Sequence, residues 1–143
     1  MVLTWETPYT SWHGEEALDG SYTGDYFDGT AYNRIIHNLQ YLADYANSFY
    51  YNTVPHVTME GKADEQLFYA SDINTIEKNL YELNRKTNLS KRAAKTYVDN
   101  GLMIDADELN YIESMCVTTE DNLRNQKEHR RTLTFNLGIP GGF

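Results

Sequence analysis

A single cysteine, Cys116, stands in 143 residues. It excludes an intramolecular disulfide and any cysteine-based zinc cluster. Positive charge is also scarce: 12 Lys and Arg face 21 Asp and Glu, for a net charge of −9. Affinity for nucleic-acid backbones and anionic membrane surfaces comes from cations, so neither partner fits this balance. The one local basic run, Arg124, Lys127, Arg130 and Arg131, is interrupted by Glu128. It falls near the expected end of a helix, where cations complement the dipole. No stretch approaches the roughly 20 apolar residues of a membrane span. The N-terminal residues MVLTWETPYTSW lack the basic and apolar regions of a signal peptide, so no export by a leader is expected.

Catalytic and metal signatures are missing as well. His13, His37, His56 and His129 have no His or Cys neighbour at metal-ligand spacing, and there is no HExxH, CxxC, GxSxG or glycine-rich phosphate loop. The stretch 19–25, DGSYTGD, echoes the start of a calcium loop. Thr30 stands at the twelfth position, where a bidentate Glu belongs. No enzyme activity, cofactor or metal is expected.

Aromatic residues, at 13%, are plentiful. Six of them, Trp5, Tyr9, Trp12, Tyr22, Tyr26 and Phe27, lie in residues 1–29 among Gly, Thr, Ser and Asp, without sustained helical or strand period. This composition is too aromatic for a disordered tail. It reads as an extended arm whose rings dock either on the chain's own helices or on a neighbour.

From residue 30 apolar residues recur at three- and four-residue steps, predicting a helix over about 30–51 ended by Pro55. A second helix is predicted from Ser71 to about Asn88. A short third follows a Ser90 cap and stops at Gly101, a good left-handed terminator. A fourth runs from Asp105 or Asp107 to about Arg130. In 132–137, Leu133, Phe135 and Leu137 alternate with polar residues, which is strand spacing. The expected fold is therefore mainly α. It is a small bundle of three to four helices (30–131) with an extended N-terminal arm (1–29) and a short C-terminal β-strand and tail (132–143).

One pattern recurs. Thr30/Asn33, Ser71/Asn74 and Asp107/Asn110 each place Asn three residues after a capping type, at separations of 41 (74 minus 33) and 36 (110 minus 74). With Thr, Ser or Asp as N-cap, the Asn falls at the third helical position. There a capping-box side chain reaches back to the cap's N–H. The alternatives are a bond to a neighbouring loop that fixes register, or a ligand contact. The unequal spacing favours a compact bundle of related helices over an open solenoid.

The opening TWETPYTSW, followed by Tyr26-Phe27, Thr30, Tyr32-Asn33-Arg34-Ile35 and Asn38-Leu39, resembles the N-terminal portion of tail-associated structural proteins of phages and prophages of Gram-positive bacteria. Phe68, Ser71, Ile73-Asn74, Ile76-Glu77 and Asn79-Leu80 repeat the pattern. Ile36 replaces the usual acidic residue in the first copy, and the third copy lacks the Asn-Leu-x-x-Leu end. The resemblance implies a virion structural protein, a helical connector or adaptor in the tail, baseplate or fibre attachment, made in the host cytoplasm. Its partners would be other virion proteins and itself, as a homo-oligomer. The alternative is a carbohydrate- or receptor-binding module whose rings stack on a cell-surface glycan. Trp5, Tyr9 and Trp12 in the arm and Leu133, Phe135 and Leu137 in the expected strand are the candidate assembly residues, because an uncovered strand edge invites pairing with another chain.

Overall fold

A computed structural model describes the backbone of residues 4–48, 61–63, 68–87, 92–101 and 104–137, and the side chains of these residues as far as Glu128. The protein is mainly helical, with three helices and a small two-stranded sheet. Strands β1 (Gly14–Glu16) and β2 (Tyr22–Gly24) pair antiparallel, Gly14 opposite Gly24. Helices α1 (Gly29–Asn47), α2 (Ala70–Thr87) and α3 (Ala106–Leu137) follow.

The three helices share one pattern of buried positions. Ile35, Ile76 and Ile112 are each the seventh residue of their helix. Leu39, Leu80 and Cys116 are the eleventh, and Leu42, Leu83 and Thr119 the fourteenth. All nine are buried, and each helix packs against both others. Every buried Leu or Ile contributes about 1.5–3 kcal/mol through loss of apolar surface from water, so these shared layers are the core.

The residue before each helix lies two positions ahead of Thr30, Ser71 and Asp107; at the last helix it is Asp105, the other start the sequence offered. Asp28 caps α1, its Oδ1 accepting from the Ala31 N–H at 2.9 Å. Asp105 caps α3 in the same way, accepting from Glu108 at 2.8 Å. At α2 the arrangement is reversed: Tyr69 precedes the helix and donates its N–H to Asp72 Oδ2 at 2.8 Å. Ser71 is inside the first turn and exposed. The two-residue shift makes Asn33, Asn74 and Asn110 the fifth residue of their helices, on the side rather than at the end.

Two other expectations are overturned. Residues 92–98 form no helix; they are extended and end in a turn at Asn100, whose φ is 63°. The reason is tertiary: this segment's backbone bonds to α2 rather than to itself. Residues 132–137, expected as a strand, continue α3, because a helix already under way adds one hydrogen bond for each residue fixed, whereas a lone strand has none to make. Side chains of Leu133, Phe135 and Leu137, the Pro55 helix stop and the Ser90 cap all lie outside the described residues.

Candidate functional site

The three asparagines explain the architecture. Asn33 brackets the backbone of Lys62, donating Nδ2–H to its C=O (2.9 Å) and accepting its N–H on Oδ1 (2.7 Å). Asn74 brackets Tyr97 in the same way, at 2.9 and 2.7 Å. Asn110 brackets Trp12 at 2.8 and 2.7 Å. A side-chain amide presents a donor and an acceptor side by side, which matches one residue of extended backbone. Glutamate has no N–H to donate, which is why asparagine and not a capping-box Glu stands here.

The pairings form a closed cycle. The segment before α2 docks on α1, the segment before α3 docks on α2, and the arm before α1 docks on α3. The register-fixing alternative for the repeated Asn is therefore the one realised, and capping belongs to Asp28 and Asp105.

The arm runs along the groove between α1 and α3. At its start Asn38 makes a fourth bracket, with Glu6 N–H (2.9 Å) and C=O (2.8 Å). Between the two brackets lies Glu113, almost wholly buried. Its carboxylate takes Arg34 Nε at 2.7 Å and Nη2 at 2.9 Å, the Tyr9 N–H at 3.1 Å and the Trp12 indole N–H. Trp12 is buried in the core; Trp5 is half-buried with its ring 5.8 Å from Tyr41. Tyr9 meets Trp12 edge-on at 5.2 Å and donates its hydroxyl to Asp25 at 3.0 Å. The three aromatic arm residues named from the sequence thus come together on one groove of this chain, through partners that periodicity did not flag: Asn38, Arg34 and Glu113.

Beyond Trp12 the β1–β2 hairpin stands away from the bundle, with Leu18 at its tip fully exposed. Gly24 is required at its base, because its φ of 134° disfavours any side chain and a Cβ there would meet the His13 carbonyl oxygen at 2.5 Å. The hairpin, the chain leading from it to α1 and the first turn of α3 enclose a cleft of about 470 Å³. Its floor includes Trp12 and Leu109 and its wall the tyrosines Tyr22 and Tyr26, whose ring centres are 5.2 Å apart. At the corresponding place on α2, the 97–100 turn closes over Ile73 and leaves only about 60 Å³.

The second helix interface has a different polar centre. Glu77 of α2 and Glu108 of α3 are both buried and hydrogen-bonded to each other. Burial first, then the bond to Glu108 and its charge, push Glu77 up to about 8. Burial alone would raise Glu108 too, but bonds from Glu77, Arg92 and Lys95 outweigh it and hold Glu108 below the ordinary carboxylate value. Arg92 and Lys95 both reach Glu108 Oε1. Glu77 Oε1 and Glu108 Oε2 are buried and take no donor from the other described residues, an environment that favours a proton held on Glu77. Cys116 is fully buried beside Glu113, and burial pushes its thiol well above the ordinary range, which makes it a packing residue and not a nucleophile.

Among the described residues no group of three or more His, Cys, Asp or Glu could hold a metal ion, and no described helix is long and apolar enough to cross a membrane. Comparison with known proteins finds no matching family model, no similar curated protein and no similar solved structure.

Proposed function

We propose that this chain is a structural protein of a phage particle, a helical connector or adaptor in the tail, baseplate or fibre attachment that works by assembly. The observation that carries the reading is the repeated unit itself. Of the residues that resemble phage tail-associated proteins, Asn33 and Asn74 bracket passing segments, and Tyr32, Ile35, Ile73, Ile76 and Leu80 line the shared core. A helix start that captures a passing extended strand through one Asn is a general docking device. The same device serves segments of this chain and suits segments of neighbours. The exposed hairpin, with both strand edges free of pairing among the described residues, adds a surface on which another chain's backbone can dock.

Mass spectrometry of purified phage particles, with electron microscopy of particles lacking the gene, tests the reading. Stoichiometric presence in the particle and tails that fail to complete are the expected results. Absence from particles, with normal tails after deletion, would overturn it.

A further inference from the structure

We propose that the cleft between the hairpin and the start of α3 is a binding site for a cationic side chain, specifically the guanidinium of an arginine presented by a partner protein. One device recurs three times in this chain. Arg92 lies 3.6 Å over the Tyr111 ring while bonded to Glu108. Lys62 sits 5.5 Å from the Tyr69 ring and 3.2 Å from Asp72. Arg34 lies 6.0 Å from Trp12 and is paired with Glu113. In each, a cation is held between an aromatic face and a carboxylate, where the ring quadrupole and the negative charge act together.

The cleft offers the same two components without their cation. Tyr26 is 72% exposed and Tyr22 43% exposed, and their rings form the wall. Asp25, whose Oδ2 takes the Tyr9 hydroxyl and the His13 N–H, and Asp105, whose Oδ1 caps α3, supply the carboxylates through their second oxygens, and Glu15 and Asp107 extend the negative rim along the adjoining groove. Against these four the one basic side chain among the lining residues is His13, already 3.2 Å from Asp25 Oδ2. A neutral saccharide would gain from the rings and little from the charge surplus. A guanidinium gains from both, and its planar face stacks on tyrosine while its edge meets a carboxylate. The volume, about 470 Å³, admits a whole arginine side chain. The equivalent place on α2, at about 60 Å³, does not. The hairpin is what opens the site at the start of α3 and not at the start of α2.

The site belongs to the isolated chain, so its test stands apart from the particle experiment. The protein, with its tyrosine rings labelled for NMR, is titrated with acetyl-arginine methylamide, with the uncharged acetyl-citrulline methylamide, and with a methyl glycoside of N-acetylglucosamine. Saturable shifts at Tyr22 and Tyr26 are expected with the arginine compound, about tenfold weaker affinity with citrulline, and no saturation with the sugar. Tyr26→Ala should abolish binding and keep the fold, because Tyr26 is exposed, whereas Asp107→Asn should weaken binding without abolishing it. Absence of saturable shifts with arginine, equal affinity for citrulline, tighter binding of the glycoside, or undiminished binding by Tyr26→Ala would each overturn the proposal.

Discussion

Glu77 and Glu113 occupy the same place on successive helices, the eighth residue of each, and both are buried. Their surroundings could hardly differ more. Glu113 faces the arm and α1, and four donors converge on it, two of them from Arg34. Glu77 faces the 92–98 segment and the start of α3, where the cations Arg92 and Lys95 reach Glu108 and leave Glu77 a long bond of 3.4 Å from the Lys95 N–H. One carboxylate is the centre of an ion-paired network; the other keeps its proton. The bundle repeats its helices faithfully but not the extended segments laid on them, and those segments decide the chemistry of each interface.

The sharpest way to break this comparison is Glu113→Ala. It leaves the Arg34 guanidinium and the Trp12 indole N–H facing an emptied, buried site, and loss of one partner of a buried pair costs about 3–5 kcal/mol. Urea denaturation should show a destabilisation of that size and loosening of the arm. A loss under about 1 kcal/mol would mean the network is dispensable.

Smaller effects are expected at the brackets. Asn74→Ala and Asn110→Ala each strand one peptide N–H and one C=O, at about 1–3 kcal/mol for a buried unpaired group. Equal losses in urea midpoints would show that the two docked segments are held alike. A much smaller loss at Asn110 would show that Glu113 and Asn38 hold the arm without it.

The proton on Glu77 gives the comparison a pH signature. Unfolded, Glu77 titrates near its ordinary value of 4.5; folded, it holds its proton up to about 8. Between those values the folded state binds more protons than the unfolded one, so this group's contribution to stability falls as pH rises through the window and levels off above it. Glu108 acts oppositely: its folded value is depressed, so its contribution is present above the unfolded value and lost as pH falls through the folded one. Glu77→Gln, which mimics the protonated form, should flatten the decline between pH 5 and pH 8 in thermal melts. A wild type whose stability is level across that range would refute the shared proton.

The smallest effect separates true from apparent caps. Ser71→Ala should stay within about 0.5 kcal/mol, because Ser71 is exposed within the first turn and alanine suits a helix. Asp105→Ala should cost about 1 kcal/mol, since its carboxylate accepts the Glu108 N–H. Chemical denaturation of the two variants side by side checks the assignment, and a larger loss at Ser71 would restore it as the cap.

Much of the helical frame was legible in the residues. The apolar spacing of Ile35, Leu39 and Leu42, and of Ile73, Ile76, Leu80 and Leu83, marks core faces, because a 3.6-residue period has one way to bury such a stripe. The recurrence of Asn33, Asn74 and Asn110 was visible too, and it announced three related helices. What the residues left open was the identity of each partner. The capping reading of Asn failed by a constant two residues, since Thr30, Ser71 and Asp107 are good cap types that happen to lie inside the first turn. KRAAKTYV has helical composition, yet its Tyr97 backbone is bracketed by Asn74 and its Arg92 and Lys95 are drawn to Glu108. In 132–137 a two-residue alternation was outweighed by propagation of α3. Periodicity and local propensity are properties of neighbours along the chain, so the sequence by itself determined the apolar faces of the three long helices and their kinship. Which extended segment docks on which helix, whether a buried glutamate meets Arg34 or another glutamate, and where a cleft opens depend on groups separated by up to 104 residues, as Tyr9 and Glu113 are. Only the tertiary structure decided those, because hydrogen bonds and charges act through space, at distances the order of residues does not encode.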